Sequence, residues 1–72
     1  MKILTEPLYE PWYQHYLKPN LLNLVSSKDL LVEPTAGHMM VTVEITVECE
    51  SELDDVHDVL ADTEDVQHEV IA

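Results

Sequence analysis

From Val41 to Glu50 the chain alternates apolar and polar residues without a slip. Val41, Val43, Ile45, Val47 and Cys49 form one series, and Thr42, Glu44, Thr46, Glu48 and Glu50 form the other. A period of two is the signature of a β-strand, because successive side chains leave opposite faces of the pleat. β-branched residues in both series reinforce that reading. A strand with one apolar face must pair with others and be covered, so the rest of the chain has to supply both services. On this pattern Cys49 belongs to the core side and is expected to be a buried, inert thiol.

The flanking segments read as those partners. Asp29 to Glu33 is a short apolar run bounded by charge, and Pro34-Thr35-Ala36-Gly37-His38 supplies a turn. A connection so short predicts an antiparallel hairpin between this run and the alternating strand. Ser51 opens a helix, with Asp54 three residues on resembling a capping box and Glu52, Asp54 and Asp55 placed where a helix dipole favours anions. At 100° per residue Leu53, Val56 and Leu60 share one side of that helix, while Asp54, Asp55, Asp58 and Asp62 share the opposite side. The helix fades near Thr63, and Val66 to Ile71 makes a last strand.

Ahead of these lies an aromatic segment. Tyr9, Trp12, Tyr13, Tyr16 and Leu17 fall on one face of a 3.6-residue period. Pro11 suits a first helical turn, Pro19 ends or kinks the helix, and Asn20 is placed to cap a second short piece over residues 21–25. This face is first of all a core-facing stripe; its functional reading is a partly exposed aromatic anchor of Tyr9, Trp12, Tyr13 and Tyr16. The expected architecture is therefore α+β, in the order α-(α)-β-β-α-β, with helices packed on a small, mainly antiparallel sheet. A chain of 72 residues suits one domain. Within it, residues 1–8 read as an arm, 9–28 as the aromatic helical segment and 29–72 as an acidic ββαβ unit.

Charge separates these parts. The chain has 3 Lys and Arg against 15 Asp and Glu, a formal net charge of −12. All three bases, Lys2, Lys18 and Lys28, precede residue 29, whereas 29–72 carries thirteen acids and no base. Such a field repels nucleic acid and anionic lipid and steers basic partners inward. No apolar stretch approaches the ~20 residues that cross a bilayer. One cysteine forms no internal disulfide, which makes the cytoplasm the expected compartment.

Little in the chain suggests catalysis, a cofactor or a metal. His15, His38, His57 and His68 have no zinc-ligand spacing, and His57 is read as a structural or pH-sensitive residue and not as a general base. No calcium loop of the D-x-[DN]-x-[DN]-G type is present. Leu31-Val32-Glu33-Pro34-Thr35-Ala36-Gly37 resembles the strand and loop by which many methyltransferases hold S-adenosylmethionine. It lacks the further glycine, and 72 residues cannot build the doubly wound sheet such a site requires.

What remains is an acidic surface: Glu44, Glu48 and Glu50 along the strand, Asp54, Asp55, Asp58 and Asp62 along the helix, then Glu64 and Asp65. The aspartate column repeats about every 6 Å, four residues at 1.5 Å each. DNA spaces its phosphates ~3.4 Å apart along each strand, so two such rows have comparable charge density. In size and charge the chain resembles the small phage-encoded DNA mimics, among them anti-CRISPR proteins, anti-restriction proteins and glycosylase inhibitors, and it also resembles antitoxins. The resemblance implies a non-enzymatic inhibitor that occupies the basic, nucleic-acid-binding surface of another protein, in the host cytoplasm if phage-encoded. It would act as a monomer or homodimer and touch neither nucleic acid nor membrane. The competing expectation is an acidic structural or subunit-type dimerisation module, of the kind a salt-loving organism would make.

Overall fold

The computed structural model describes residues 1–71. Seven elements build an α+β arrangement of helices on an antiparallel sheet. Strands β1 (Lys2–Thr5) and β2 (Leu8–Tyr9) come first, followed by a helical rod. The hairpin β3 (Leu30–Pro34) and β4 (Met40–Thr46), helix α3 (Glu50–Asp62) and strand β5 (His68–Ile71) complete the chain. The hairpin is the expected one, pairing Leu30 with Ile45 and Pro34 with Val41.

β4 is the organising strand. One of its edges carries β3; the other carries β1 and then β2, one after the other. β5 pairs along the far edge of β1. The residues expected to form an arm therefore supply an interior strand, placing β-β ahead of the predicted order. Lys2-Ile3-Leu4-Thr5 is too short to show a period, and only its pairing with two distant strands makes it one.

Between β1 and β2 the register slips. Leu4 opposes Glu44, but Leu8 opposes Val41, so three residues face two. This is a β-bulge, and Pro7, which has no N–H to give a ladder, sits in it. The bulge would strand the Val43 amide inside the protein. Thr5 Oγ1 accepts from that amide at 3.1 Å, and Thr5 is the one buried polar residue among those described.

The helical rod spans α1 (Glu10–Trp12), a π turn (Tyr13–Leu17) and α2 (Lys18–Leu21) without a break. Pro19 neither ends it nor opens a second helix. In a regular helix its ring would collide with the carbonyl of His15; the wider turn, in which the Lys18 amide donates to Tyr13 O, makes room. Asn20 is not a cap. Its side-chain amide donates instead to Tyr16 O at 3.0 Å, within the same rod. The rod stops at Leu21 and residues 22–24 form a turn, so of the piece predicted over 21–25 only Leu21 is helical.

The π turn also decides which rings are buried. Tyr13, Leu17 and Leu21 are fully buried, and Trp12 packs against them from the side. Tyr9 belongs to β2 and Tyr16 to the outer side of the rod, both more than half exposed. The core closes with Ile3, Val43, Ile45 and Val47 from the sheet, Val56 and Leu60 from α3, and Val66 beyond it. The helices cover that one face. By register Leu4, Leu31, Glu33, Glu44 and Glu69 lie on the other, and Leu31 there is 53% exposed.

β4 ends earlier than the alternation predicts. Its last ladder bonds are those exchanged between Val47 and Met1, at 2.8 and 3.0 Å. Beyond that point the alternating residues have no strand to pair with, and a helix starts. Its N-cap is Cys49, not Ser51, so the capping box does not form, and Cys49 is exposed rather than buried. β5 likewise starts at His68, two residues later than predicted, with Val66 buried in the approach to it.

Candidate functional site

α3 separates its residues as its pattern predicts. Val56 and Leu60 are buried, whereas Asp54, Asp55, Asp58 and Asp62 are all exposed. Thirteen residues at 1.5 Å each give a ridge about 20 Å long. Glu48 and Glu50 stand at its start, Glu64 and Asp65 just past its end, all exposed. Eight of the nine predicted acids are thus exposed on α3 or beside its two ends.

The ninth does not join them. Glu44 lies on the open face of the sheet, across the molecule from the outer side of α3. There it accepts an ion pair from Lys2 Nζ at 3.0 Å and is only 20% exposed. The alternation places Glu44, Glu48 and Glu50 in one row along a strand. The end of β4 at Thr46 breaks that row, leaving Glu48 in a connection and Glu50 in the first turn of α3.

The two ends of the ridge differ in energy. Glu50 and Glu52 in the first turn meet the positive end of the helix dipole, a favourable placement. At the other end no base occupies the last turn. Asp62 there faces the negative end, at a cost of about 0.3–1 kcal/mol, and each like-charged i,i+4 pair along the column adds about 0.2–0.5 kcal/mol of repulsion. Glu64 and Asp65 then adopt φ of 63° and 49°. Left-handed backbone costs a side-chain-bearing residue roughly 1–2 kcal/mol. Amides of Thr63, Asp65 and Val66 donating to Val59, Ala61 and Leu60 hold this reversal in place.

Of the four anchor candidates, the structure brings two to the ridge. Trp12 and Tyr16 form one wall of a shallow groove of about 500 Å³, whose other wall is Asp62, Thr63 and Glu64. Tyr13 is core and Tyr9 lies elsewhere, in β2. This meeting of the aromatic rod with the end of α3 joins residues about fifty positions apart, and periodicity gives no signal of it.

Cys49 has the chemistry opposite to that expected. Its Sγ lies 3.2 Å from Ser51 Oγ at the helix start, and hydrogen bonds from Ser51 and the Glu52 backbone hold the thiol below its ordinary range. Among the described residues no group of three or more metal-ligating side chains occurs, and no helix is long and apolar enough to cross a membrane. Two histidines do meet: His57 of α3 and His68 of β5 face each other ring to ring. Comparisons with protein-family models, with curated proteins and with solved structures gave no match to this chain.

Proposed function

We propose that the protein is a non-enzymatic binding protein whose α3 ridge docks on a basic, nucleic-acid-handling surface of another protein. One observation carries this reading: unfavourable features gather at the carboxy-terminal end of α3. Asp62 opposes the helix dipole, and Glu64 and Asp65 add charge in left-handed backbone. Local rules broken together at one place are the usual mark of a functional surface. Beside them Trp12 and Tyr16 offer aromatic walls, the residue types that most often anchor protein interfaces. An arginine or lysine side chain entering the groove would meet ring faces and carboxylates together. An acidic decoy competing with nucleic acid, as DNA mimics of phage do, is the form of the reading that best uses a ridge of this length and charge.

Displacement of duplex DNA from a panel of basic DNA-binding domains tests it. At low salt the wild-type chain displaces DNA, and a D54K/D58K double variant, folded by circular dichroism, loses roughly tenfold or more in potency, which is ~1.4 kcal/mol. The effect shrinks as salt shortens the screening length, about 10 Å at 0.1 M. Equal potency of the double variant rejects the reading.

The dimerisation reading also has an observation in its favour. Among the described residues β3 pairs only with β4 and β5 only with β1, which leaves two sheet edges open to another strand. Sedimentation at micromolar concentration separates the two: a dimer that dissociates on edge mutation supports the module, and a monomer removes it.

A further inference from the structure

The geometry points to a second site, a transition-metal site made by His57 and His68, and we propose that it takes one borderline divalent ion such as Zn²⁺ or Cu²⁺. His57 Nδ1 and His68 Nε2 are 2.5 Å apart, with ring centroids at 4.7 Å, so the two nitrogens are aimed at each other. The gap between them holds either the hydrogen of a His57 Nδ1–H that donates to His68 Nε2 or, with both nitrogens bare, a metal ion.

The orientation of His68 is what a metal ligand needs. Its other ring nitrogen, Nδ1, lies 2.8 Å from the carbonyl oxygen of Val66. A carbonyl only accepts, so Nδ1 carries the hydrogen and Nε2 is left as the free donor atom. A backbone carbonyl fixing the tautomer of an imidazole is the common supporting contact of histidine ligands.

The backbone is also spent on this meeting. The chain leaves α3 after Asp62, reverses through the two left-handed residues Glu64 and Asp65, and returns His68 against His57. Both imidazoles are half-buried, so water can reach the remaining coordination positions. Metal–nitrogen bonds of about 2.0–2.1 Å at tetrahedral or square angles separate two ligand nitrogens by about 2.9–3.4 Å. From their in-line arrangement each ring has to turn by roughly 35–45° for both nitrogens to converge on one ion. A chain of net charge −12 draws cations toward the site from a distance, while imidazole selects zinc and copper over magnesium and calcium. With two protein ligands the ion keeps water or an outside donor, and it pins the second half of α3 to the edge of the sheet.

The test uses the full chain with metal alone, in excess Mg²⁺ to occupy the carboxylates. Zn²⁺ is titrated by calorimetry and by NMR of the imidazole protons; Cu²⁺ is read by electron paramagnetic resonance. One equivalent should bind, shifting the His57 and His68 signals, with hyperfine structure from two nitrogens in the copper spectrum. H57Q and H68Q should each weaken binding at least tenfold, while an H15Q/H38Q double variant keeps it. Thermal melts check folding, and only the wild type and the double variant should gain stability from zinc. Binding unchanged in H57Q and H68Q, shifts confined to carboxylates, or a copper signal with one nitrogen would overturn the site. So would an absence of binding in excess Mg²⁺, which leaves the pair holding a proton.

Discussion

Removing one oxygen atom from the core should make the protein more stable. Tyr13 is fully buried among Leu17, Leu21 and the sheet, yet its hydroxyl has no hydrogen-bond partner among the described residues. In the unfolded chain the hydroxyl is hydrated; folding buries it, and no protein group among the described residues pairs with it. An unpaired buried polar group costs about 1–3 kcal/mol, and Tyr13→Phe deletes it while keeping the ring that fills the space. The small void left by the oxygen takes back part of the gain, so a net stabilisation of about 1–2 kcal/mol is expected. For a chain of this size that raises Tm by roughly 4–8 °C per kcal/mol. Burial also pushes the Tyr13 hydroxyl above the ordinary tyrosine value of 10.0. Between that value and the raised one the unfolded state has lost the proton and the folded state still holds it. Stability contributed by the group is therefore present below pH 10 and falls as pH rises through the folded value. The advantage of Tyr13→Phe should thus be flat near neutrality and widen above pH 10. Urea denaturation of both proteins, followed by circular dichroism from neutral to alkaline pH, measures it. A variant less stable than the parent by more than about 0.5 kcal/mol would show that the hydroxyl is satisfied and refute the reasoning.

Two other substitutions probe features that pairing created. Thr5→Val keeps the shape of the side chain but removes the hydroxyl that accepts from the Val43 amide at the bulge; a loss of about 1–3 kcal/mol is expected in the same denaturation assay, and a neutral result would mean the amide is otherwise paired. Cys49 should alkylate readily in the native state, with a rate profile centred below the usual thiol range, and Ser51→Ala should move that profile upward by removing the hydrogen bond at 3.2 Å. A profile unchanged by Ser51→Ala would assign the depressed value to the helix start alone.

Much of the fold could be read along the chain. The β3–β4 hairpin, the apolar and acidic sides of α3 and the place where that helix stops all follow from spacing, because neighbouring residues fix those patterns through backbone geometry. The same local rule overreached at Glu48, Cys49 and Glu50. Their alternation is strand-like, but a strand is made by its partners, and pairing runs out at Val47. It fell short at Lys2–Thr5, where four residues carry no readable period and yet form the strand between β4 and β5. Pro19 was legible as a disturbance, though not as the cause of a π turn four residues upstream that rotates Tyr13 into the core and Tyr16 out of it.

The sequence by itself determined that this chain is α+β, that one helix is acidic on its outer side, and that its positive charge ends at Lys28. Those are properties of neighbours and of sums, and neither needs a third dimension. Only the tertiary structure decided that Glu44 leaves the acidic set for Lys2, that Trp12 and Tyr16 wall a groove with Asp62 and Glu64, and that His57 meets His68. Each of these joins residues far apart in the chain, and such contacts depend on which strand pairs with which and how far a helix has turned when it gets there.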